Sequence, residues 1–381
     1  MKQIYLDNAA TTIVDSKVID TMLPYFKAKF GNASSQHFKG KEAKEALDKS
    51  REVIAKEINA KSEEIIFTSG GTESNNLALK GLFFSNYPKK NHIITTKIEH
   101  DSILNVCRFL EKQGVKVTYL DVDNEGFINI DDLKKTITEK TIVVSIIHGN
   151  NEIGTIQNLE RIGEICKERG VLFHTDACQS FTKTEIDAKK QNLDLITLNS
   201  HKIHGPKGVG GLFIKNGITI TPLFHGGGHE RKLRSGTENI SGIVGFSKAV
   251  EIINSKDIQK MEKLRDKLIT GVLKISNTRL NGSIKNRLCN NINISFNNIE
   301  GEAIGGHLEN RGIYASTGSA CMSNTLETSH VLKALGLPPL ESNSSLRMSI
   351  SKYTTDEEIN YVLKELPKIV EKLRRISPLV N

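Results

Sequence analysis

An alternation running from about Glu64 to Lys215 constrains this chain more than any other feature: short apolar runs, each followed by an amphipathic stretch. Ile65-Ile66-Phe67 precedes Asn75 to Phe84, and His92 to Thr95 precedes Ser102 to Gln113. The series continues with Val115 to Leu120, Ile142 to Ile147, a helical pattern over Leu159 to Arg169, Val171 to Thr175, Leu193 to Leu198 and Gly211 to Ile214. Strands that alternate with helices build a largely parallel sheet, because each parallel crossover needs a helix and lays it on a face of the sheet. The expected fold is α/β, with a mostly parallel mixed sheet covered by helices. Ligands then belong at the carboxyl ends of the strands.

After about Ser255 the pattern changes to a long charged helix (Ile258 to Ile275), a strand (Asn291 to Phe296) and a terminal helix (Thr355 to Arg375). At 381 residues the chain exceeds a comfortable single core. Two domains are expected: a large one over 16–255, and a smaller α+β one formed by 1–15 and 256–381. The formal charge of +8 comes from Lys and Arg interleaved with Asp and Glu, which reads as a solvated surface and not as a nucleic-acid footprint. Cys107, Cys166, Cys178, Cys289 and Cys321 are odd in number, widely spaced and contain no CxxC pair, which fits a reducing cytoplasm. Neither a signal peptide nor an eighteen-residue apolar run is visible, so neither export nor membrane insertion is expected.

The chemistry-bearing residues fall at predicted strand ends. Ser69-Gly70-Gly71-Thr72 follows a strand and opens a helix, where unpaired backbone N–H groups and the helix dipole favour an anion; the same glycines also suit a plain tight turn. Lys202, in Leu198-Asn199-Ser200-His201-Lys202, stands just past another strand, where an amine with a depressed pKa can form a Schiff base. Asp176 ends the strand that closes on His174-Thr175. It is either a helix N-cap or the partner of a pyridinium nitrogen, which would make that ring an electron sink. His100 is placed to stack on a planar ring and relay a proton, and Asn151 and Gln179 to hydrogen-bond ring substituents. Singly, each of these also has a structural reading. Together they supply what a pyridoxal-phosphate site needs, on one rim.

In the second domain, Cys321 lies in a run of small residues, Ser316 to Ser323, suited either to an accessible nucleophile or to small apolar packing. Arg347 sits in an alternating strand and is a candidate for bidentate capture of a carboxylate, or for an ion pair. His225 and His229 flank three glycines, which cannot hold two zinc ligands on one helical face, so no metal site is expected.

Several ordered blocks resemble the NifS/IscS-type cysteine desulfurases, fold-type I pyridoxal-phosphate enzymes related to aminotransferases. They are Tyr5 to Thr12, Phe67 to Asn76, Asn150 to Gly154, His174 to Gln179, Ser200 to Gly208, Arg234 to Asn239, Gly318 to Ser323, and Arg347 with Thr354-Thr355. The resemblance implies pyridoxal 5'-phosphate as cofactor, carried by Lys202. It also implies that Asp176 pairs with the ring nitrogen, His100 stacks on the ring, and Gln179 and Asn151 contact it near the phenolic oxygen. Gly71, Thr72, Asn199, Ser200 and His201 would hold the phosphate, with Thr237 reaching it from the partner subunit of a homodimer. L-cysteine would be held by Arg347 and Asn151, and its sulfur taken by Cys321 as a persulfide. The acceptor is then a sulfur-receiving protein such as an iron-sulfur scaffold, with Cys321 a possible cluster ligand during transfer, or a tRNA-thiolation enzyme.

The chain departs from the family pattern at Asn199 (usually Ser), His229 (usually Gln), Ala33 and Thr328 (usually Pro) and Ser351 (usually Gly). Selenocysteine lyase, another aminotransferase-like activity and a noncatalytic docking scaffold are the alternatives.

Overall fold

The structure is a computed structural model that describes residues 3–317 and 328–378. Its centre is a seven-stranded sheet formed by β2 (Ile65–Thr68), β3 (His92–Thr96), β4 (Lys116–Leu120), β5 (Thr141–Ser145), β6 (Leu172–Asp176), β7 (Leu195–Asn199) and β8 (Gly210–Ile214). The strand order is β2-β8-β7-β6-β5-β3-β4, and β8 alone runs against its neighbours. A mostly parallel mixed sheet was expected, and this one requires both faces to be covered. Every residue of β5, β7 and β8 is buried.

On one face, the helices Gly71–Asn86 and Asp101–Glu111 set Leu77, Leu82, Ile103 and Cys107 against Ile66, Ile93, Val143 and Leu212. On the other, Phe38–Glu57, Leu159–Arg169 and Ile240–Ile252 bring Leu47, Ile54, Ile162, Ile165 and Phe246 to Phe67, Val144, Phe173 and Ile196.

The first of these helices begins earlier than its apolar pattern suggests. Gly70 at φ 152° lets the chain turn straight out of β2, and a side chain at Gly71 would bring its Cβ within 2.5 Å of Cys178 Sγ.

A second sheet, β12-β10-β9, is antiparallel: β9 (Thr278–Leu280), β10 (Asn291–Phe296) and β12 (Ser345–Ser349). The helices Ser255–Val272 and Asp356–Ile376 bury Leu264, Leu268, Val362 and Leu366 against Ile292, Ile294, Leu346 and Met348. Beside it, β1 (Ile4–Tyr5) pairs in parallel with β11 (Ile313–Tyr314). From β1 the N-terminal segment crosses to the main sheet. The Asn8 amide donates to Ser349 O at 2.8 Å, and Thr12 N–H donates to His201 O at 3.0 Å. No helix among the described residues is long and apolar enough to cross a membrane.

Candidate active site

The parallel strands β2, β3, β5, β6 and β7 end on one edge of the sheet, and the residues just past those ends form the site. Past β2, the 16-residue helix Gly71–Asn86 presents first-turn amides that have no intrahelical acceptor. One nearby amide is already used: Ser69 N–H donates to Glu73 Oε2 at 2.8 Å, and Glu73 is in turn held by Arg234 at 2.9 Å. Burial acts to raise the Glu73 carboxyl, but the bonds from Arg234 and Ser69 outweigh it and hold the group below its ordinary value. The start of this helix stands beside the end of β7, where a Cβ on Gly71 would lie 3.8 Å from Asn199 Nδ2.

Past β7, Asn199 and Ser200 are buried, and Asn199 Oδ1 and Ser200 Oγ have no bonding partner among the described residues. Lys202 follows in a turn clamped from the N-terminal segment. His201 O accepts from Thr12 Oγ1 at 2.9 Å, His201 Nδ1 meets Thr11 Oγ1 at 3.2 Å, and His204 N–H donates to Thr12 Oγ1 at 2.9 Å. Burial, reinforced by Lys202, Lys207 and Lys183, holds the His201 imidazole down to about 4, so it is neutral at physiological pH.

Asp176, the last residue of β6, is buried, and no helix starts from it; residues 178–183 form turns. Its Oδ1 accepts from Cys178 N–H at 2.9 Å and its Oδ2 from the Asn75 amide at 2.7 Å. The same Asn75 nitrogen donates to Ser102 Oγ at 2.8 Å, and Ser102 Oγ lies 2.8 Å from His100 Nδ1. His100 and Asp176 are thus joined through two residues that the sequence reading passed over. Gln179, past the same strand, donates its amide to Ala9 O at 2.9 Å.

Past β5, Asn150 shapes a turn by accepting from Glu152 and Ile153 N–H at 2.9 and 3.0 Å, and this turn presents Asn151. Asn151 Oδ1 is buried and has no partner among the described residues, while the Asn151 carbonyl accepts from Arg347 at 3.2 Å and from Asn291 at 3.2 Å. Arg347, in β12, is buried. It donates to Asp7 Oδ1 at 3.0 Å, and its Nε has no partner among the described residues. Asp7 also accepts from Ser316 Oγ at 3.2 Å. Both Asp7 and Asn75 lie inside the sequence blocks quoted above, but nothing local marks either as a site residue.

Thr237 is exposed in the loop before Ile240–Ile252 and lines a pocket shared with Ser69 and Gly208. Cys321 lies outside the described residues. The other four cysteines are buried, and burial pushes the thiols of Cys107 and Cys166 up to about 12, that of Cys289 to about 11, and that of Cys178 well above its ordinary value. None of the four is suited to nucleophilic work.

Residues 4–362 match the model of the aminotransferase class-V family. The chain belongs to that family. A cysteine desulfurase IscS of Clostridium botulinum is 49% identical over 384 residues, spanning 99% of this chain and 97% of the relative. A solved NifS-like protein superposes with a TM-score of 0.91 at 39% identity, covering 98% of this chain and all (100%) of the other. A solved SspA in complex with cysteine gives 0.83 at 38% identity over 93% and 100%. Within the class-V aminotransferases the chain is therefore of the NifS/IscS cysteine desulfurase type, a pyridoxal-phosphate-dependent enzyme.

The rim suits that cofactor. It offers an amine, a carboxylate oriented by two donors, helix-opening amides, and three buried side-chain oxygens, on Asn151, Asn199 and Ser200, that lack a partner among the described residues.

Proposed function

We propose that the chain removes sulfur from L-cysteine, releasing L-alanine and leaving the sulfur as a persulfide on Cys321. The observation that carries this reading is that Lys202, Asp176 and the oxygens of Ser200, Asn199 and Asn151, which lack partners among the described residues, stand on one sheet edge. When bound, pyridoxal phosphate supplies an electron sink for charge developing on the substrate's carbon skeleton. Lys202 would carry it. Asp176, oriented by Asn75 and the Cys178 amide, would pair with the ring nitrogen. The amides of Gly71 and Thr72 with Asn199, Ser200 and His201 would bind the phosphate, joined by Thr237 of a second copy in a homodimer. His100 would stack on the ring, with Gln179 and Asn151 at its phenolic edge.

Arg347 would orient the substrate carboxylate with help from Asn151. Its guanidinium is already buried and fixed by Asp7 and Asn151 O, and a bidentate site works best when it is preorganised in this way. Cys321 would take the sulfur, since burial silences the other four thiols. We assign 16–255 to the cofactor-binding domain, and 1–15 with 256–381 to a small domain carrying Cys321 and Arg347. The acceptor we propose is an iron-sulfur scaffold or a tRNA-thiolation enzyme in the cytoplasm.

The test compares the wild type with Cys321→Ala. Both should absorb near about 400 nm, because Lys202 holds the cofactor, and only the wild type should release sulfide and alanine from L-cysteine under a thiol reductant. Two absorbing proteins with no sulfide from either would move the search to selenocysteine and transamination. A colourless wild type would end the reading.

A further inference from the structure

His100 does two jobs in the structure. It is the N-cap of the 11-residue helix Asp101–Glu111, and its Nδ1 accepts from Ser102 N–H at 3.1 Å. A nitrogen that accepts a backbone N–H carries no proton, so the neutral ring has its hydrogen on Nε2.

The side-chain bonds run in the same direction. Asn75 Nδ2 has two hydrogens and two acceptors, Asp176 Oδ2 at 2.7 Å and Ser102 Oγ at 2.8 Å. Because Ser102 Oγ accepts from Asn75, its single hydrogen is left for His100 Nδ1, 2.8 Å away. We propose that Asn75 and Ser102 are positioning residues: they hold His100 as the neutral tautomer protonated on Nε2 and tie its ring to the Asp176 carboxylate by one continuous chain of hydrogen bonds.

Putting a proton on Nδ1 would set it against the Ser102 N–H. It would also make the Ser102 hydroxyl accept from both Nδ1 and Asn75, so that its own hydrogen loses the Nδ1 acceptor it has in the neutral chain. The charges around the ring add to this. Burial is the largest influence holding the imidazole below its ordinary value, and Lys202 and His330 act in the same sense, while Asp176 and Asp101 oppose them. The positive end of the helix dipole also disfavours an imidazolium at an N-cap. His100 can therefore stack and donate from Nε2, but it does not take up a proton on Nδ1 while Asn75 and Ser102 are in place.

The proposal rests on the assignment of His100 and Asp176 to the cofactor ring, and its test does not depend on turnover. Protein with ring-15N-labelled histidine is examined as holoenzyme and after the cofactor is stripped, with His100→Gln identifying the His100 signals among the 11 histidines. The wild type should show a protonated Nε2 and an unprotonated Nδ1 from pH 6 to 8. Ser102→Ala should raise the His100 pKa by about half to one pH unit and admit the other tautomer, since one neutral hydrogen bond to Nδ1 is lost. Ser102→Thr, which keeps the hydroxyl, should restore the wild-type pattern. Asn75→Ala should shift His100 in the same direction although it does not touch the ring. A wild-type His100 protonated on Nδ1, or Ser102→Ala and Asn75→Ala spectra identical to the wild type, would overturn the proposal. A preparation with the expected tautomer but no absorption band would support it and sink the functional reading instead.

Discussion

Replacing Glu99 by Gln should remove a pH-dependent cost that the fold carries beside its active site. Glu99 is fully buried. One carboxyl oxygen accepts from Thr96 Oγ1 at 2.7 Å and from Ile147 N–H at 2.9 Å, and the other has no partner among the described residues. Burial pushes this carboxyl up to about 8; the bonds from Ile147 and Thr96 pull it down, and Asp176 adds to the rise. The native state thus keeps a proton that the unfolded chain, with an ordinary value of 4.5, releases. Below pH 4.5 both states are protonated and the group costs nothing. As the pH rises toward 8, stability falls by about 1.4 kcal/mol per pH unit, which accumulates to the order of 3 kcal/mol at pH 7. Glutamine keeps the accepting oxygen and cannot ionise. In urea titrations from pH 5 to 7.5, the stability of Glu99→Gln minus that of the wild type should grow with pH along that slope, and every group common to both proteins cancels in the difference. Parallel curves would show that Glu99 ionises freely in the native state and refute the reasoning.

Gly71→Ala should destabilise by about 1–3 kcal/mol, because its Cβ would fall 2.5 Å from Cys178 Sγ. Cys178→Ala in the same chain should recover most of that loss and of any loss in cofactor affinity, and an absence of rescue in thermal melts would refute the steric account. Arg51→Ala should cost about 3–5 kcal/mol, because it strands Glu230, which is buried and bound to Arg51 by two 2.7 Å contacts. Lys97→Ala, at the exposed pair with Asp121, should cost under about 1 kcal/mol in the same denaturant titrations, and equal losses at the two pairs would refute the distinction.

The sheet was legible because its strands are short apolar runs punctuated by amphipathic helices. The rim was legible because parallel strands put their carboxyl ends on one side. The direction of β8 was also available, but went unread. Between Asn199 and Gly210 there is no room for a crossover helix, so the strand must return antiparallel. The N-cap alternative for Asp176 could not be decided from its neighbours; it fails because no helix follows, only turns. Asn75 was illegible for a different reason. It sits on a helix whose pattern reports burial, and its partners Ser102 and Asp176 are 27 and 101 residues away, so no local periodicity registers the contact. Arg347 read as a carboxylate binder or an ion-pair partner, and its bond to Asp7 spans 340 residues.

The crossing of the N-terminal segment bears on the order in which a new chain can acquire its chemistry. On the ribosome, Asn8 waits 341 residues for its partner Ser349, and Thr12 waits 189 residues for His201. Closing loops of that length is slow and cannot begin until the far end has been made. The turn that carries Lys202 is therefore pinned only after His201 and His204 have been made, and the Asn8 bond to Ser349 follows later. A nascent chain can therefore complete the Lys202 turn before the strand that carries Arg347 exists.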